Sequence, residues 1–187
     1  QKETKMKLTN LTTGLLSILL LGFIGCDLGE DDPIETPPTE EGVLVINEFL
    51  ASNDAGHSDE EGGFDDWVEL YNGTSEAIDI GGMYFTDDPE DTEPNLIPMT
   101  NSDLTTIAAG GYLILWCDKE PEQGILHINT KLSSGGESVV LIDSDGLTVI
   151  DTYTFDAQEA DVSIGRTPDG GETWTAFSTP TPGASNN

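Results

Sequence analysis

"LIDSDGLTVI", residues 141–150, sets an apolar run on either side of Asp145-Gly146. Asp-Gly between two apolar runs supplies the positive φ that a primed hairpin turn needs, because glycine adopts it without steric cost. The stretch therefore predicts a hairpin joining strands over 138–143 and 148–155. From Gly42 onward the helical period is missing, and short apolar or alternating runs recur at nearly regular spacing: "VLVINEFLA" (43–51), "WVELYN" (67–72), "AIDIGGMYFT" (77–86) and "YLILWC" (112–117). Turn signals separate them at Asn72-Gly73, Gly81-Gly82, Gly110-Gly111, Gly135-Gly136 and Asp169-Gly170. Many short strands with no helical segment predict an all-β sandwich or barrel, in one domain over 42–187.

Composition bounds what such a domain can do. The 187 residues are 36% apolar, enough to build a core, but 36 Asp and Glu face only 6 Lys and Arg, a net charge of −30. Beyond Cys26 the basic residues are Lys119, Lys131 and Arg166. A polyanion of this density repels phosphate backbones, so nucleic acid is excluded as a partner and cations are favoured. Cys117 closes the apolar run "YLILWC" and reads as a small buried hydrophobe. With Cys26 given another role below, no disulfide framework follows.

Residues 1–25 run from lysines (Lys2, Lys5, Lys7) into an apolar stretch over about 15–24, the pattern of a secretory signal. That stretch is short of the roughly 20 apolar residues a bilayer-spanning helix needs. "FIGC" (23–26) resembles a bacterial lipobox, which implies cleavage before Cys26 and a lipidated Cys26 as the membrane anchor, several acyl chains holding more firmly than one. Residues 27–41, "DLGEDDPIETPPTEE", carry seven acids and three prolines and read as a self-repelling disordered tether. Run as polyproline II, they reach roughly 45 Å. The expected location is the bacterial cell envelope, at the outer membrane, facing the periplasm or the surface. Asp27 fits both an acidic export tag and an inner-membrane retention signal, so sidedness stays open.

Several stretches together resemble the lamin tail domain: "VINEFLASN" (45–53), "DDWVELYN" (65–72), "AIDIGGMYFTDD" (77–88), "AAGGYLILWCD" (108–118), "LHINTKLSSGGESVVLID" (126–143), "QEADVSIGRTPDGGETW" (158–174) and "PTPGASN" (180–186). They stand in the family's order across nearly all of 43–186. The resemblance implies an immunoglobulin-like β-sandwich and, as in bacterial members, a non-catalytic binding or adhesion module whose ligand is a protein or glycan at the cell surface. The acidic surface departs from lamins, whose tails are linked to DNA and chromatin.

Three kinds of chemistry are open to these residues. The acidic loop "SDEEGGFDDW" (58–67) offers oxygens for calcium from Asp59, Glu61, Asp65 and Asp66, with Asp54 and Glu60 nearby. The EF-hand template fails, since starting at Asp59 puts Gly63 at a ligand position and Phe64 where the invariant glycine belongs. Glu48 and Glu69 lie inside strands beside aromatics, the setting of a glycan-active hydrolase, although carboxylates hydrogen-bonded as structural fixtures are the commoner use. Within "LVINEFL" Glu48 alternates with Ile46 and Leu50, and within "WVELY" Glu69 alternates with Trp67 and Tyr71. Trp67 and Trp116 read as core, whereas Trp174, in the turn-rich "DGGETWTAF", is the candidate for a ligand-facing aromatic together with Glu69. His57 and His127 are the only imidazoles, too few for an ordinary zinc site, and His57 reads as a surface residue. The phosphate-loop, dinucleotide and nucleophile-elbow motifs are missing. The alternatives left are a calcium-stabilised carbohydrate-binding accessory module and the hydrolase.

Overall fold

The structure, a computed structural model, describes residues 42–187, which pack as one compact unit. The signal segment 1–25, the lipidation site Cys26 and the acidic tether lie outside the described residues.

The chain runs through β1 (Leu44–Leu50), β2 (Asp66–Asn72), β3 (Ile78–Asp79), β4 (Tyr84–Thr86), β5 (Asn95–Leu96), the one-turn α1 (Ser102–Thr105), β6 (Thr106–Ile107) and β7 (Tyr112–Cys117). It continues through β8 (His127–Ile128), β9 (Gly136–Ile142), β10 (Val149–Asp156), β11 (Ser163–Arg166) and β12 (Trp174–Phe177). Six strands form a large sheet in the order β12-β11-β1-β2-β7-β8, four form a second in the order β10-β9-β4-β5, and β3 pairs with β6. All pairings are antiparallel except β7 with β8. With β1 packed against β9 and β10, the two larger sheets make the expected sandwich.

Between the sheets lies one core. Ile46, Phe49, Val68, Leu70 and Leu115 from the large sheet meet Phe85, Val139, Leu141 and Phe155 from the smaller one, with Ile80, Ile97 and Ile107 closing the side. Phe49 is at its centre, fully buried, its ring centroid 4.6 Å from that of Phe155. Truncating such a side chain to Ala costs about 3–5 kcal/mol through lost transfer energy and the cavity left behind.

Several sequence expectations change here. The Asp-Gly turn is not a primed two-residue turn: Gly146 has φ 70° but Asp145 does not share it, and Gly146 N–H closes on Asp143 C=O at 2.9 Å. The loop therefore spans 143–148, with the Asp145 carboxylate accepting both Leu147 and Thr148 N–H at 2.8 Å. The run 77–86 is two strands, because Gly82 (φ 91°) turns the chain between them and sends β3 and β4 to different sheets. A single turn of helix, capped by the Asn101 side chain, stands where none was expected.

A further difference positions the site. Register between β1 and β2 runs Ile46↔Leu70 and then Glu48↔Glu69, so Asn47 is an extra residue in a β-bulge. Strict alternation would put Ile46, Glu48 and Leu50 on one face. The bulge instead leaves Leu44, Ile46, Phe49 and Ala51 in the core and sends Glu48 and Leu50 to the outer face.

Candidate functional site

On that outer face Glu48 and Glu69 sit directly opposite each other on neighbouring strands, both with no solvent exposure. Residues 178–187 run over them and supply the donors that buried carboxylates require. Glu48 accepts from the hydroxyl of Ser163, from Thr181 N–H at 3.0 Å and from the Thr181 hydroxyl at 2.7 Å. Glu69 accepts from Gly183 N–H at 2.5 Å and from the Asn47 amide at 3.2 Å. Burial pushes the Glu69 carboxyl up to about 8, against the pull of those two hydrogen bonds, and the charge of Glu48 adds to the rise. Glu69, read from the sequence as ligand-facing, thus faces the protein's own C-terminal segment.

Asp169 fastens the same segment. It accepts from Asn186 N–H at 3.0 Å, from the Asn47 amide at 3.0 Å, from Ser185 and from the Tyr112 hydroxyl at 2.9 Å. Burial works to raise its carboxyl, but these donors, Ser185 first, hold it below the usual aspartate value. Tyr112 is pushed up to about 12, by burial first and by Asp169 second.

Trp174 is half-buried and not an open platform. Its ring stacks on Tyr153 at 4.0 Å, packs on the core and carries the Arg166 guanidinium 4.6 Å from its centroid. Arg166 in turn forks onto Asp151 at 2.9 and 3.1 Å and donates to Ile46 C=O at 2.8 Å. Trp67 and Trp116, expected in the core, are buried in a second apolar cluster with Leu50 on the outer face.

The loop between β1 and β2 folds over this outer face. Asn53 pins it, donating to His57 C=O at 2.6 Å and Asp65 C=O at 2.8 Å. His57 then lies stacked on Trp116, ring centroids 5.5 Å apart. Beside this stack opens a cleft of about 360 Å3 lined by His57, Glu60, Tyr112, Ile114, Trp116 and Leu126.

The loop acids do not gather as one set of ligands pointing outward. Asp59 turns inward and is 7% exposed, while Glu61 is exposed. Asp65 lies across Gly63 from Asp59, a Cβ at residue 63 meeting Asp65 Oδ2 at 2.6 Å and Asp59 Oδ2 at 3.1 Å. Asp66 opens β2 half-buried, and burial pushes it up to about 6 against a backbone hydrogen bond from Asn53. What Asp59 turns toward is a pair that sequence reasoning missed. Asp118, just past β7, and His127, on β8, meet with Nδ1 2.5 Å from Oδ2, both buried.

The family model described as Lamin Tail Domain matches residues 37–157, well over half of the chain. The chain belongs to the lamin tail domain family. No curated protein and no solved structure matches it. An immunoglobulin-like, non-catalytic domain is what the family provides, and the two packed antiparallel sheets agree with it. In this lamin tail domain the matched segment ends just after β10, yet β11 completes the large sheet by pairing with β1, and the C-terminal residues cover the buried glutamates. One sequence signal pointed to that cover. Gly165 lies inside β11, paired on both sides, and a Cβ there would stand 2.7 Å from the Asn186 amide and 3.1 Å from Glu48 Cγ, so a glycine inside a strand marks a close approach. Nothing comparable announced the Asp118–His127 pair, which parallel pairing of the two-residue β8 with β7 brings together.

Proposed function

We propose that this chain is a lipid-anchored protein of the bacterial envelope, carried at the outer membrane through Cys26, whose lamin tail domain binds a protein or glycan at the cell surface without turning it over. Family membership supports a binding module. The observation that carries the reading is the cleft beside the His57–Trp116 stack: it has an apolar and aromatic wall rimmed by Asp59 and Glu60, the mix of surfaces small-ligand sites use. A sugar ring stacks on such a wall with its hydroxyls on the rim. Glu48 and Glu69, the pair a hydrolase would need, already commit their oxygens to Ser163, Thr181, Gly183 and Asn47.

A glycan panel tests both halves. Binding is expected to weaken at least tenfold in His57→Ala, which opens the stack without touching the core, and no reducing ends are expected. Reducing ends released by the wild type and lost in Glu69→Gln would overturn the reading. For the anchor, labelling with a fatty-acid probe is expected in the wild type and lost in Cys26→Ser; label retained in that variant would remove the anchor from the proposal.

A further inference from the structure

Asp59, Asp118 and His127 come from a loop, a strand end and a short strand, and each places a ligand atom within 4.8 Å of the others. Their exposures are 7%, 1% and 7%. The two carboxylates are held in the same manner. Asp59 Oδ1 accepts from the N–H groups of Glu61 at 2.9 Å and Gly63 at 2.7 Å. Asp118 Oδ1 accepts from Glu120 N–H at 2.8 Å. In each, one oxygen is fixed by backbone and the other is left for the centre. For Asp118 that oxygen faces the imidazole. For Asp59 it faces nothing that donates: Oδ2 is buried with no hydrogen-bond partner.

An orphaned, buried carboxylate oxygen is costly, and natural domains rarely leave one. Asp59 offers a ligand oxygen within 4.8 Å of those of Asp118 and His127, and a cation there satisfies both carboxylates at once. We propose that Asp59, Asp118 and His127 bind a divalent transition-metal ion of the zinc type.

Ligand chemistry selects the class. Calcium takes six to eight oxygens and magnesium prefers an octahedron of oxygens, whereas one imidazole with carboxylates is a zinc-type set. Around a tetrahedral zinc ion, ligand atoms at bond lengths near 2.0–2.1 Å lie roughly 3.3 Å from one another. The ligand atoms here all lie within 4.8 Å of one another, near enough for side-chain adjustments to close them on one ion. Three protein ligands leave a fourth position on the ion open. Glycines let this loop pack tightly: Gly62 takes φ 88°, and a Cβ at Gly63 would crowd Asp65 Oδ2 at 2.6 Å and Asp59 Oδ2 at 3.1 Å. Because Asp59 and Glu60 also line the cleft, the ion would stand in its wall.

The test titrates zinc into the chelator-stripped full chain. One equivalent is expected to bind and raise the melting temperature by several degrees, with 1 mM calcium giving no comparable rise. Asp59→Asn, which keeps an oxygen for the backbone N–H groups, is expected to lose at least tenfold in affinity, and Glu61→Gln to keep it. A wild-type measurement guards against a variant that fails to fold. With two histidines in the chain, imidazole NMR resonances are expected to shift at His127 and not at His57. Failure to bind zinc, equal stabilisation by calcium, unchanged affinity in Asp59→Asn, or coordination shifts at His57 would each overturn the proposal. None of these readouts involves the ligand of the cleft, so the site stands or falls apart from the proposed function.

Discussion

Replacing Glu69 by Gln isolates the cost of a buried carboxylate in this sheet. Glu69 has its folded value raised to about 8 from 4.5, so the folded protein holds a proton that the unfolded chain has released. Such a group adds stability that is fully present below 4.5 and is lost as pH rises to about 8. At about 1.4 kcal/mol per unit of pKa, this interval corresponds to roughly 4–5 kcal/mol as an upper bound, and relaxation of the C-terminal cover reduces it to about 2–3 kcal/mol. Glutamine resembles the protonated form, with one carbonyl for Gly183 N–H and an uncharged NH2 group in place of the hydroxyl. Urea unfolding of both proteins from pH 5 to pH 8.5 is the assay. Titrating groups away from Glu69, including Asp66 with its window between 3.8 and about 6, are shared and cancel in the difference. Near pH 5 the two are expected to agree within about 1 kcal/mol, whereas by pH 8.5 the difference moves in favour of the variant by about 2–3 kcal/mol. Parallel pH profiles would refute the argument that Glu69 is held neutral by burial.

Two further outcomes follow from the same sheet. Arg166→Lys keeps the charge but loses the fork onto Asp151, the Nε–H to Ile46 C=O and the stacking on Trp174. A loss of about 2 kcal/mol is expected in thermal unfolding, and a change under about 0.5 kcal/mol would show that a point charge suffices. Deleting residues 180–187 removes the donors from Thr181 and Gly183 and three of the contacts of Asp169. Amide exchange is expected to accelerate most along β1 and β2, where the uncovered glutamates lie, and least along β9 and β10; uniform acceleration would mean that the segment is not a local cover.

The parts of the fold legible in the sequence are the long runs: β2 and β10 alternate, β7 and β9 are apolar stretches of strand length, and the Asp145-Gly146 turn signals the pairing of β9 with β10. β1 misleads when read by strict alternation: in "INEFL" the consecutive polar residues Asn47 and Glu48 break the period, and the bulge at Asn47 decides which face receives Glu48. The two-residue strands β3, β5, β6 and β8 carry no period at all, because one bridge of a ladder needs only suitable backbone geometry. That is why the Asp118–His127 pair was missed. Its two residues lie nine apart across a loop, and the link between them is the parallel bridge Trp116↔His127. Trp174 misled for another reason: turn-rich neighbours suggested exposure, while Arg166 and Tyr153, distant in sequence, close over its ring.

The charge excess finds its explanation in the turns. Asp59, Asp79, Asp88, Asp91, Asp118 and Asp145 each accept the N–H two residues ahead, at 2.8–2.9 Å. Acids used this way serve as local backbone acceptors and need no basic partner, so a sheet protein with many short loops tolerates them in number. Among the described residues the one Lys or Arg ion pair is Arg166 with Asp151. Four acids nevertheless lie buried at the outer face of the large sheet or beside it, and they divide by what satisfies them. Glu48 and Glu69 are covered by hydroxyls and N–H groups of residues the chain itself supplies. Asp59 and Asp118 each commit one oxygen to a turn; Asp118 turns the other to the His127 imidazole, while Asp59 Oδ2, in the same cluster, meets no donor. A chain with so few cations of its own has to take that missing charge from solution.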